Sequence, residues 1–138
     1  MAEAICTISN YWKYYLLNLI VGHTFKAVMM QPGFTFNRDS HKVYADISAH
    51  EIAAVSGYIV GGIELINPVV AQDDVNDRGT LSFDNLTFIP VDADVSLSGT
   101  IILDSTVDVI LAFASANGTV TAIDGIGYMM RNIQGRIA

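Results

Sequence analysis

Cysteine is nearly absent, with a single Cys6 in 138 residues, so no disulfide forms within the chain and the cysteine-based zinc and redox spacings are excluded. Cys6 stands among Ile5, Thr7 and Ile8 with no base beside it, which reads as a small buried or half-buried thiol and not a nucleophile. Positive charge is also scarce. Lys and Arg number 7 against 14 Asp and Glu, a net charge of −7 that is repelled by phosphate backbones and anionic membranes. No window gathers more than two basic residues, so no nucleic acid partner is expected. The three histidines, His23, His41 and His50, form no His-x-x-x-His or His-Glu-x-x-His pair, and no metal site is predicted. The most apolar window, 16–30, is interrupted by Asn18, Gly22, His23 and Lys26, so no membrane partner is expected either. The opening Met-Ala-Glu-Ala carries no basic segment of a secretory signal, so synthesis in a cytoplasm is expected, and the glycosylation patterns at Asn85 and Asn117 read as coincidence.

The usual catalytic arrangements are missing as well. There is no Gly-x-Ser-x-Gly elbow, because Ser56-Gly57 lacks the preceding glycine. Gly57-x-x-x-Gly61-Gly62 has no following Lys, and Gly125-Ile-Gly127 lacks the third glycine of a dinucleotide loop. Asp73, Asp74 and Asp77 fail the calcium-loop spacing, since Val75 falls at a ligand position and no Glu follows at the twelfth, so they read as a solvated loop. Asp92 and Asp94 after Pro90 read as turn chemistry, and His50-Glu51 as a surface pair in a loop. No catalytic residue and no cofactor is predicted, and the chain is expected not to be an enzyme.

Apolar residues are abundant: 51% of the chain is hydrophobic and 15% charged, enough to fill the core of one domain over 1–138. Trp12, Tyr15, Leu16, Leu19 and Ile20 recur at helical spacing, which predicts a helix over about 9–21, capped by Ser9 or Asn10 and ended by a left-handed Gly22. At that spacing Trp12, Tyr15 and Leu19 are expected to be core rather than interface. A β domain follows over about 24–137. Residues 24–30 read as a buried strand, closed by a type II turn at Gln31-Pro32-Gly33-Phe34. A polar loop over 35–45 comes next, then a short helix or single turn within 47–55 with Ser48 and Glu51 spaced as a capping box. Gly57, Gly61 and Gly62 read as positive-φ corners. Further strands are predicted at 63–70, 80–89 with a break near Asn85, 95–103, 107–114, 120–123 and 126–137. Asn117-Gly118 reads as a hairpin turn joining 107–114 to 120–123. The predicted fold is mainly β, an antiparallel β-sandwich or jelly roll with one N-terminal α-helix.

The stretch Asp46-Ile-Ser-Ala-His50-Glu51, followed by Ser56-Gly57-Tyr58-Ile-Val-Gly61-Gly62-Ile-Glu-Leu65, resembles a family of small tailed-bacteriophage virion structural proteins. The N-terminal helix, the strand Phe25-Lys-Ala-Val-Met-Met30 and the placement of His41 fit in the same order, so the resemblance covers about 10–70, while the C-terminal half is similar in style alone. It implies a non-enzymatic shell component, most like a capsid decoration or cementing protein, found on the capsid surface of the virion.

The expected partners are the major capsid protein and further copies of the chain itself, a dimer before a trimer. Composition offers Phe34, Phe36, Arg38 and His41 in the polar loop, Asp73, Asp74 and Asp77 in the acidic loop, and Arg131 and Arg136 near the C-terminus as candidate contact residues. Two other roles fit the same pattern: a tail or baseplate structural protein, and a lectin-like adhesin module using Phe34, Phe36 and Asn37.

Overall fold

The computed structural model describes residues 4 and 6–138. A helix, α1 (Asn10–Asn18), precedes β1 (Phe25–Met30) and two single 3-10 turns at Tyr44–Asp46 and Ser48–His50. Then come β2 (Ile63–Glu64), β3 (Val69–Asp73), β4 (Arg78–Ser82), β5 (Leu86–Phe88), β6 (Val95–Asp104), β7 (Val109–Ala122), β8 (Tyr128–Met130) and β9 (Gln134–Ile137). All strand pairs are antiparallel. They form a four-stranded sheet in the order β2-β1-β6-β7, a three-stranded sheet β3-β4-β9 and a two-stranded ribbon β5-β8. The predicted class is borne out: a mainly antiparallel β, sandwich-like fold with one helix near the N-terminus, its sheets open and not closed into a barrel.

β1 and β6 are covered on both faces, so both are buried along nearly their whole length. One face of β1 sends Phe25 and Ala27 against Leu17 of α1, Leu81 of β4 and Phe83, and Met29 against Ile52, Tyr58 and Phe88. The opposite face sends Val28 and Met30, with Ile101 and Leu103 of β6, against Ile47 and the half-buried Phe34, Phe36, Tyr44 and Phe113. The polar loop after β1 is therefore a cover for the outside of the four-stranded sheet. The type II turn is present as predicted: Gly33 has φ 83° and the Phe34 amide donates to the Gln31 carbonyl at 3.2 Å.

Several expectations need correction, and Cys6, expected to be buried or half-buried, is exposed. First, α1 is capped by Ser9 as predicted, but it ends at Asn18 with Leu19 in the right-handed region, and Gly22 has no positive φ. Second, Trp12, Tyr15 and Leu19 are not core: they are 50%, 42% and 60% exposed, while Lys13 and Leu17 face inward. The helix lies so close on β4 that a Cβ at Gly79 would come within 2.8 Å of the Lys13 carbonyl carbon. Third, Asn117-Gly118 is no hairpin turn. Val109–Ser115 pairs with Gly99–Asp104 and Val120–Ala122 with Val95–Leu97, so both halves run along the same strand, and residues 116–119 bow out opposite Ser98 as an enlarged bulge. Fourth, Ser48 makes no capping bond and Glu51, expected at the surface, is buried. The predicted strand 63–70 is cut at Asn67 (φ 56°) and Pro68, and 126–137 is cut at Asn132 (φ 52°), into β2 with β3 and β8 with β9 respectively.

Candidate functional site

Burying a carboxylate is costly unless its oxygens are all engaged. Glu51 meets that requirement with donors from three directions. The Tyr44 hydroxyl donates to Oε1, while the Tyr58 hydroxyl and the Gly61 amide, at 2.8 Å, donate to Oε2. The Tyr58 hydroxyl also accepts the Met29 amide at 3.2 Å, and Glu51 itself bridges to Met30, so the cluster is tied to β1. Burial, then the bond to Glu51, pushes the Tyr44 phenol up to about 12, and the same two causes raise Tyr58. Both phenols therefore stay protonated donors. Gly61, at φ 102°, turns its amide toward the carboxylate, and Gly62, at φ 109°, lies against the Ala27 carbonyl. Asp46 closes the other end of the segment by accepting the Lys42 and Val43 amides at 2.9 and 3.0 Å, bonds that lower its carboxyl. Asp46, Glu51, Tyr58, Gly61 and Gly62 thus hold loops onto a sheet.

The proposed contact residues fall on three separate elements. Phe34 and Phe36 pack on Phe113 at ring distances of 5.4 and 5.7 Å, and His41 lies against both phenyl rings at 5.5 and 5.7 Å. His41 Nδ1 accepts the Asn37 amide at 3.0 Å, which fixes it as the acceptor nitrogen. Arg38, in the turn that Asn37 caps, is exposed. Beside this loop is an open cleft of about 250 Å³ lined by Gln31, Pro32, Phe34, His41 and His50.

The acidic residues form the hairpin between β3 and β4, and they serve the fold. Arg78 Nε donates to Asp73 at 2.9 Å, and Asn76, first, with Arg78 after it, lowers the Asp73 carboxyl. The Asn10 side-chain amide donates to Asp74 and Asp77 at 3.2 Å each, and the buried Lys13 ammonium donates to the Asp77 carbonyl at 2.6 Å. Arg131 and Arg136 are exposed, and Arg136 on β9 lines an open polar cleft of about 360 Å³ with Ser82, Asn85, Asn132 and Gln134. Elsewhere His23 Nδ1 meets the buried Asp104 carboxylate at 2.6 Å, joining the segment before β1 to the turn after β6. Among the described residues, no group of three or more His, Cys, Asp or Glu is placed to hold a metal ion, and no helix is long and apolar enough to cross a membrane.

One surface was missed in the sequence. Tyr11, Trp12, Tyr15 and Leu19 share one side of α1, all exposed, with Trp12 stacked on Tyr15 at 5.6 Å. Hydrophobic spacing alone marks the stripe without saying which side of the helix is covered. Lys13 on the opposite side points in sequence to a solvated face there, so the sequence held no signal for the exposed stripe. No protein-family model, curated protein or solved structure matches this chain.

Proposed function

We propose that this protein is a structural virion component that binds the outside of an assembled bacteriophage capsid and stabilises it by bridging major capsid subunits, as a homo-oligomer and without catalysis. The observation that carries the reading is how side chains are employed. The buried Lys13, Glu51 and Asp104 each brace a loop or helix against a sheet, and Asp73 with Arg78 ties the β3–β4 hairpin across its own turn. The aromatic side of α1, by contrast, is left to solvent. Exposed aromatic groups on a rigid element suit an anchoring surface. The resemblance of 46–65 to small virion proteins supports a phage shell as the assembly. Contacts made to the assembled shell and not to free subunits stabilise the shell by mass action, and the repetition of one interface over its lattice multiplies the effect.

The test is to mix the protein with expanded capsids lacking it, count copies per shell by native mass measurement and follow shell melting. Saturation at a fixed ratio to capsid subunits with a raised melting temperature is expected. Failure to bind shells, with binding to purified tails instead, overturns the capsid reading in favour of a tail protein.

A further inference from the structure

Five strands besides β7 have an edge open or nearly so, and each is short or charged. β2, β5 and β8 have two or three residues, β3 ends in Asp73, and β9 contains Arg136. Short length and charge are the ordinary protections of a sheet edge against pairing with another chain. β7 has neither. It is the outermost strand of the four-stranded sheet, 14 residues long, and its sequence Val-Ile-Leu-Ala-Phe-Ala-Ser-Ala-Asn-Gly-Thr-Val-Thr-Ala contains no charge and no proline.

Among the described residues its outward backbone is satisfied at two points. The Ile110 amide donates to the Lys42 carbonyl at 2.8 Å, and the Asn117 amide to the Ser115 hydroxyl at 3.1 Å. Between the first of these and the bulge over 116–119 lies 111–115, Leu-Ala-Phe-Ala-Ser, in which Leu111 is a one-residue bulge between the partners of Ile102 and Leu103, and 112–115 pair in register with β6 on their inner side. Leu111 also lines an apolar groove of about 200 Å³ with Leu16, Ile20, Leu81 and Ile137, so the open ladder adjoins apolar surface.

We propose that 111–115 pairs antiparallel with the same stretch of a second copy about a two-fold axis near Phe113, joining two four-stranded sheets into one of eight strands. Antiparallel self-pairing satisfies both rows of backbone groups with one operation, as a closed isologous contact requires. Each copy carries a net charge of −7, so self-association needs a contact strip without like charges, and β7 supplies one. The small side chains Ala112, Ala114 and Ser115 leave room for the neighbouring strand.

This specifies the homo-oligomer of the proposed function, and it is tested on the free protein without capsids, so its failure is distinguishable from failure to bind shells. Sedimentation equilibrium across a concentration series measures mass, and hydrogen–deuterium exchange at the same concentrations follows the amides of 111–115. The expected result is twice the chain mass, with exchange over 111–115 slowing as the dimer fills. Ala114→Lys, which sets two ammonium groups beside the axis, is expected to weaken the dimer about tenfold or more. Thr119→Lys in the bulge is expected to leave it unchanged, and the far-UV spectrum and melting of each variant check folding. A monomer at every concentration overturns the proposal. So does a dimer whose 111–115 amides exchange at the monomer rate, or slowing over 111–115 that occurs on addition of capsid subunits and not of further copies.

Discussion

Replacing Glu51 tests whether the 46–62 segment is a structural clamp. In Glu51→Ala, three donors lose their acceptor together. Tyr44 is half-buried and can turn to water, but Tyr58 is 3% exposed and its hydroxyl has no second acceptor, while the Gly61 amide is half-buried. An unsatisfied buried hydroxyl and a partly buried amide together cost about 3 kcal/mol. For a chain of 138 residues that loss lowers the melting temperature by ~10 °C. Glu51→Gln separates charge from hydrogen bonding. Its carbonyl can keep the Tyr58 and Gly61 bonds while its amide faces Tyr44, whose hydroxyl can rotate to accept, so a loss of about 1 kcal/mol is expected. Urea unfolding of the parent, both variants and Tyr44→Phe supplies the free energies, and the Tyr44→Phe/Glu51→Gln pair gives the coupling. Exchange at the Gly61 amide should rise in the alanine variant. A Glu51→Ala protein as stable as the parent, with the Gly61 amide still protected, would refute the clamp.

Further outcomes follow from other contacts. Gly79→Ala drives a methyl group into the backbone of Lys13 and Tyr14, with approaches of 2.8 to 3.0 Å, and should lower stability by about 2 kcal/mol; an unchanged melting curve would show that α1 does not sit directly on β4. Thr100 Oγ1 is buried without a hydrogen-bond partner, so Thr100→Val should raise stability by about 1 kcal/mol, and a drop in melting temperature would show that the hydroxyl has a partner after all. Native Tyr44 and Tyr58 ionise above the ordinary phenol value of about 10, so their contribution to stability is fully present below that pH and is lost as pH rises through the folded values. An absorbance titration should show a late phase of tyrosine ionisation that shrinks in Tyr44→Phe and in Tyr58→Phe, and a titration that neither substitution changes would contradict the geometry. Trp12→Ser should leave stability within ~0.5 kcal/mol because the ring is half exposed, yet weaken capsid binding; melting well below the parent would place Trp12 in the fold instead.

Much of the β domain is legible in the sequence because its signals are local. The run Phe25–Met30, the Pro32-Gly33 turn and the break near Asn85 each depend on a few neighbouring residues, and each occurs where expected. The long-range choices were not legible. Asn117-Gly118 is compatible with a two-residue hairpin and with a bulge, and the choice rests on β6 being long enough to pair with both flanks, a property of another strand. Glu51 has a similar history. Beside His50 and three residues after Ser48 it has the spacing of a surface cap, and its burial depends on Tyr44, Tyr58 and a positive-φ Gly61 arriving together. The spacing of Glu51, Tyr58 and Gly61 is thereby given a physical meaning, since the three meet in one hydrogen-bonded unit.

The helix shows how a polar contact can decide where an apolar surface goes. By apolar spacing alone, α1 can bury either the Trp12, Tyr15 and Leu19 side or the Leu17 and Ile20 side. The first choice covers more aromatic area and would be favoured by burial alone. It would also turn Lys13 and Asn10 away from the β3–β4 hairpin, leaving the Asp77 carbonyl and the carboxylates of Asp74 and Asp77 without those donors. It would further remove the backbone of Lys13 from the notch at Gly79, a fit that a side chain at position 79 would prevent. The acidic hairpin thus has a role distinct from meeting a partner: it holds the helix in the rotation that exposes the aromatic stripe. Weakening that hold, as in Asn10→Ala with Lys13→Met, should let the helix roll and bury Trp12, seen as a blue shift of its fluorescence with a loss of shell binding. An unshifted spectrum in a variant that still folds would mean that the notch at Gly79 alone sets the rotation.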